Sequence, residues 1–174
     1  MKYLRTILLF ALCSAISACD IPDTTIADGA IALKDNTVTL HLSGAPDAVI
    51  DSAGDLNIDN KAVSISASQR GLLMIYYQNV QDVHTTGQVM GKVGAKMGLK
   101  ALSNKLDDKS DAKQQQDAAS GGQQMEQLAL KICQDQNNIK LVQDQLTAQL
   151  TVFKPYGNIL SNDDVTNCQK DSKD

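Results

Sequence analysis

The chain has 174 residues, enough for one domain or for a small domain with helical appendages. Hydrophobic residues make up 43% of it, but aromatics only 3%, and tryptophan is absent, so a core must be built from aliphatic side chains, alanine and methionine. The formal net charge is −4, without the basic cluster that neutralising phosphates requires, which argues against a nucleic-acid partner.

In chain order, Met1-Lys2-Tyr3-Leu4-Arg5 is a short positive region and Ile7 to Leu12 is an apolar segment followed by small residues, the pattern of a secretory signal. The apolar segment is too short to span a bilayer, which takes about 20 residues. Ile16-Ser17-Ala18-Cys19 then resembles the lipobox of bacterial lipoproteins: an aliphatic residue, two small residues and the cysteine that receives diacylglycerol. The resemblance implies cleavage after residue 18 and a membrane anchor of up to three acyl chains on Cys19, with two already giving stable attachment. Asp20 resembles the enteric signal for retention in the inner membrane, with the outer membrane as the alternative. Loss of Lys2 and Arg5 with the signal leaves fourteen cations against twenty anions, a net −6.

Cys13 leaves with the signal and Cys19 is acylated, so Cys133 and Cys168 remain. In an exported chain such a pair is expected to form a disulfide, and closing a loop of about 35 residues contributes on the order of 3–4 kcal/mol in the chain-entropy model. Zinc is the poorer reading, because neither cysteine has a histidine nearby, and the spacing is unlike a C-x-x-C redox pair.

Residues 19–29 are small and polar and read as a lipidated tether. From Ile31 to Ala67 the chain alternates with period two: Ile31 and Leu33, a turn at Asp35-Asn36, then Val38, Leu40 and Leu42 on one face. Gly44-Ala45-Pro46 breaks the run; Val49-Ile50, Leu56 and Ile58, an Asp59-Asn60 turn, and Val63 and Ile65 complete an antiparallel meander over 30–67. Ser66 and Gln69 fit a capping box that opens a long helix over 68–106. Along it Leu73, Tyr76, Val80, Val83, Gly87, Met90, Gly94, Met97 and Ala101 mark a heptad seam. Its second half is rich in small residues, and Gly87, Gly91, Gly94 and Gly98 are expected to pack closely against a second helix. Lys92, Lys96 and Lys100 disfavour burial of this stretch in a bilayer.

Residues 107–121 read as a polar linker, with a second capping box at Ser120-Gly121-Gly122-Gln123. Met125, Leu128, Ile132, Ile139, Val142, Leu146, Leu150 and Phe153 trace a second helix over 122–154, stopped by Pro155 and Gly157, and 155–174 is a tail. The fold expected is therefore α+β, a small antiparallel meander followed by a long antiparallel helical hairpin.

No arrangement of residues points to catalysis, to a metal or to a cofactor. Asp55 to Asn60 has the alternate oxygens of a calcium loop, but the sixth position is Asn60, not Gly, and the twelfth is Ser66, not Glu, so Leu56 and Ile58 read better as a strand face. His41 and His84 have no partner at a catalytic spacing, and Tyr76 and Tyr77 read as core and rim of a helix–sheet contact. Gly54 to Asp59, Val63, Ala67 to Arg70 before a long helix, and Cys133 after Met125 to Ala129 together resemble the YggN-like family of envelope proteins over residues 38–150. That likeness implies an envelope domain with no assigned catalysis. The expected function is non-catalytic: a lipoprotein that binds or organises an envelope protein or a second copy of itself. The alternatives are a module binding lipid or a small apolar ligand between meander and helices, and an enzyme of unrecognised type.

Overall fold

The computed structural model describes residues 24–106 and 110–172. The signal segment 1–18, the lipobox with Cys19, and Asp20 lie outside the described residues.

Six short strands form one antiparallel sheet in sequence order: β1 (Thr24–Ile26), β2 (Ile31–Lys34), β3 (Thr37–Leu40), β4 (Ala48–Asp51), β5 (Leu56–Ile58) and β6 (Lys61–Ala62). The two-residue turns Asp35-Asn36 (φ 47° and 60°) and Asp59-Asn60 (φ 54° and 57°) are left-handed at both positions, as the type I′ hairpin turn requires and as Asp and Asn tolerate. Pairing of Ile31 with Leu40, Leu33 with Val38 and Val38 with Ile50 puts these side chains on one buried face. The segment 19–29 is not all tether, because β1 lies within it; among its described residues Ile26 alone is a buried apolar one, too little to register as alternation. Leu42 is 37% exposed, because β3 ends at Leu40 and the chain turns away.

Helix α1 (Ala67–Leu106) opens on the capping box read from the sequence: the Gln69 amide donates to Ser66 Oγ at 3.2 Å and the Ser66 amide donates to Gln69 Oε1 at 2.9 Å. Helix α2 (Asp111–Gln149) runs back along it to complete the hairpin, each helix spanning roughly 60 Å at the usual rise. Most of the expected linker 107–121 is thus helix. Its Ala, Gln and Lys residues favour a helix by propensity without showing an apolar period. The Ser120-Gly121-Gly122-Gln123 box starts nothing, since it lies inside α2.

After α2 a 3-10 segment (Thr151–Tyr156) carries Pro155, and α3 (Asn162–Asp171) occupies the expected tail, opened by a capping box between Ser161 and Asp164. The disulfide Cys133–Cys168, with Cα atoms 5.5 Å apart, ties α3 to α2. Fully buried Gln143 holds the intervening chain: its Nε2 donates to the Gly157 and Leu160 carbonyls, and its Oε1 accepts from the Leu160 amide.

The core lies between the sheet, the first half of α1 and the second half of α2. Leu73, Tyr76 and Val80 of α1 meet Ile139 and Leu146 of α2, with Phe153 and Tyr156 closing the end. Phe153 packs edge-on to Tyr76, centroids 6.3 Å apart, and the Tyr156 hydroxyl donates to the Pro46 carbonyl. Each such side chain contributes about 1.5–3 kcal/mol by leaving water. Among the described residues no helix is long and apolar enough to cross a membrane.

Candidate functional site

The two halves of α1 have different surroundings. From Leu73 to Thr86 six residues are buried, but beyond Thr86 only Asn104 is. The far part of the hairpin is therefore an arm, two helices packed on one another with no sheet over them.

On this arm the expected packing of Gly87, Gly91, Gly94 and Gly98 is overturned within the chain. All four are exposed, and a Cβ built on any of them meets nothing within 4 Å. The half-buried side chains of the stretch are Met90, Val93 and Met97. The heptad reading merged two faces. One side of α1 reaches the sheet: Tyr77 donates from its hydroxyl to Asn36 Oδ1 in the β2–β3 turn at 2.6 Å, and His84 is hydrogen-bonded to Thr24 Oγ1 of β1. At steps of seven, four and three that side continues past the sheet as Gly91, Ala95, Gly98 and Leu102, where no strand remains to cover it. The glycine that is closely packed is Gly121 of α2, whose Cβ would fall 2.6 Å from Met97 Sδ.

Exposed apolar residues gather on the same arm. Leu99 is 70% exposed, Leu102 58% and Leu106 78%. Lys92, Lys96 and Lys105 are exposed among them, and no acidic residue occurs between Asp82 and Asp107.

Between the helices of the arm lies a groove of about 710 Å³, walled by Val93, Met97, Ala101 and Gly121. At its edge Lys100 Nζ is 2.7 Å from Asp117 Oδ1, and Asn104 Nδ2 donates to Asp117 Oδ2 at 3.1 Å. The Lys100 hydrogen bond, with help from Asn104, holds the Asp117 carboxyl below the usual carboxylate range. Asn104 is 2% exposed, and its Oδ1 has no hydrogen-bond partner among the described residues. Sequence reasoning missed this cluster. Its one signal was that Met90, Met97 and Asn104 follow at heptad steps, and a polar residue at a seam position marks a register-setting contact.

The other singled-out residues stay apart from the arm's groove. His41 is exposed, with Nδ1 2.8 Å from Asp47 Oδ1. The Gln88 amide donates to His84 Nε2 at 2.8 Å, leaving Nδ1 to bond Thr24. Asp55 pairs with Arg70, Asp59 with Lys61, and Leu56 points into the core, as the strand reading of that segment expects.

No family model, no curated protein and no solved structure matches this chain.

Proposed function

We propose that this chain is an exported envelope lipoprotein, anchored through Cys19 and sorted by Asp20, which engages another component of the envelope through the arm of its helical hairpin and performs no catalysis. The observation that carries the reading is the contrast along α1. Its first half buries one side against sheet and α2 and exposes only Met74 and Ile75 of its large apolar residues, while its second half presents Leu99, Leu102 and Leu106, more exposed than either, to solvent beside four open glycines. Exposed apolar residues grouped in this way on a soluble domain mark a contact surface. The Cys133–Cys168 disulfide supports an oxidising compartment, and the lipobox and the YggN-like pattern support the envelope.

The test is photo-crosslinking in intact cells with a reactive side chain at Leu102 or, as control, at Lys61 on β6. Adducts at Leu102 and none at Lys61 are expected, and Cys19→Ala should remove both lipid and membrane retention. Equal labelling at the two positions, or a Cys19→Ala variant of unchanged mass and fractionation, would sink the proposal.

A second reading has its own observation. The groove falls within the size range of small-ligand sites, and Asn104, whose buried Oδ1 has no hydrogen-bond partner among the described residues, is one of its lining residues. It would suit a small apolar molecule with one donor, held between the two helices of the arm rather than between meander and helices. Mass spectrometry of natively purified protein decides this: a bound compound lost in Asn104→Leu favours it, and an empty protein rejects it.

A further inference from the structure

The side of α1 that leaves the sheet is also the side on which the N-terminal chain emerges. Thr24, the first described residue, bonds His84, and Gly91, Gly98 and Leu102 follow on that same side of the helix. Four residues lie between Cys19 and Thr24, and the five steps from one to the other reach at most about 18 Å. An anchor on Cys19 therefore keeps Thr24, and with it the side of α1 that Thr24 reaches at His84, within about 18 Å of the bilayer that carries it. The arm then runs from His84 to Leu106, roughly 33 Å along the helix axis.

The chemistry of that side matches such a surface. Leu99, Leu102 and Leu106 form an exposed apolar band with Ala95. At about 100° per residue, Lys92 flanks the band on one edge and Lys105 on the other, and Lys96 lies beyond Lys92. Residues 83–106 hold four lysines and no acid, whereas residues 24–66 hold six aspartates and two lysines. Lysines bordering an apolar band keep their ammonium groups among headgroups while their stems cover the acyl boundary.

We infer that the sheet-side face of the α1 arm, Gly91 to Leu106, docks on the anionic phospholipid surface of the membrane that bears the anchor. This inference takes its orientation from the lipid anchor proposed above and names the envelope component that this face meets. A second copy of the chain fits less well, because its arm would bring the same three exposed lysines, Lys92, Lys96 and Lys105, to the contact. Because the sheet covers the same side of the first half of α1, docking brings the end of the arm to the membrane with the hairpin tilted, and leaves the groove and the outer side of α2 facing away from it.

The test uses the unacylated mature chain beginning at Asp20, which contains every described residue. Tryptophan is absent from the sequence, so Leu102→Trp and Lys61→Trp each report one site. Vesicles of phosphatidylcholine, with and without phosphatidylglycerol, are the probes. Expected are a blue shift and quenching by brominated lipid for Leu102→Trp with phosphatidylglycerol present, and neither for Lys61→Trp. The triple variant Lys92→Gln/Lys96→Gln/Lys105→Gln should lower partitioning about fivefold per lysine, with an unchanged melting temperature. Binding should fall as salt is added.

No shift with anionic vesicles, or equal partitioning by the triple variant, overturns the inference. So does a blue shift that depends on protein concentration without vesicles, which would assign the face to a second copy. A Leu102 crosslink to protein in cells, with vesicles ignored, would assign it to a protein partner and also overturn it. Because the assay chain carries no lipid, its result stands apart from the anchor. Vesicle binding with an unacylated Cys19 in cells rejects the anchor alone, and an acylated Cys19 without vesicle binding rejects the docking alone.

Discussion

Gly54 sits at φ +75°, and a Cβ there would lie 2.6 Å from the Arg70 carbonyl oxygen and 2.7 Å from Met74 Cγ. The loop before β5 thus touches the backbone of α1 at a point where a side chain cannot fit. Gly54→Ala should cost about 2–4 kcal/mol, joining left-handed strain to overpacking. Gly29→Ala, at φ +90° but in open space, should show the strain alone, about 1–2 kcal/mol. Denaturant midpoints of the two variants separate the terms, and equal losses would remove the packing argument. Tyr76 makes the opposite point. It is fully buried, burial pushes its phenol far up, and its hydroxyl has no partner among the described residues. An unsatisfied buried hydroxyl costs about 1–3 kcal/mol, so Tyr76→Phe should leave stability unchanged or raise it by up to that amount. A loss of more than 1 kcal/mol in urea unfolding, on the order of one hydrogen bond, would mean that the hydroxyl has a partner.

Among the elements, α3 depends on a few polar contacts and one covalent bond. Gln143 satisfies three backbone groups of the chain leading to it, and Gln143→Leu leaves them buried and unpaired, a loss of roughly 3 kcal/mol or more by thermal or urea unfolding. The capping box of α3 adds a pH dependence. Hydrogen bonds from the Ser161 hydroxyl, then its amide, hold the Asp164 carboxyl below its ordinary value. A depressed carboxyl contributes stability above the unfolded pKa of about 3.9 and loses it as pH falls through the lower folded value. The protection factors of the α3 amides should therefore fall as the pH is lowered below about 4, and Asp164→Asn should abolish that part of the dependence. The origin of α3 also shows what could be read from the chain alone. Strands β2 to β5 were legible because burial on one face writes a period of two, and α1 because its cap and apolar side coincide. Helix α3 was not, since Val165 is its one buried apolar residue and a disulfide does the work of a stripe. The first turns of α2 were illegible for a related reason: an exposed arm can be helical without any apolar period, and the ties among Lys100, Asn104 and Asp117 are visible only in three dimensions.

At the scale of the whole molecule the hairpin is longer than its sheet, and the excess is where sequence and packing part company. A seam extrapolated from Leu73 and Val80 lands on Gly87 and Gly94, where no sheet remains to cover it, while the seven-residue series Tyr76, Val83, Met90, Met97 and Asn104 stays buried or half-buried along α1. The glycines along it carry a cost without a compensating contact inside the chain, since each gives up about 1 kcal/mol of helix propensity relative to alanine. Their Cβ positions are open, so replacing Gly87, Gly91, Gly94 and Gly98 together by alanine should raise unfolding free energy by up to about 3–4 kcal/mol. The same variant presents a thicker, smoother face to whatever the arm meets, and crosslinking from Leu102 in cells should weaken while the melting temperature rises. The two readouts must move in opposite directions for the arm to be a contact surface whose close approach depends on small residues. A melting temperature that falls would place a second helix against this face and reverse the correction drawn from its open space. A rise in stability with crosslinking fully retained would leave the leucines and lysines as the whole of the contact, with the glycines bystanders on its edge.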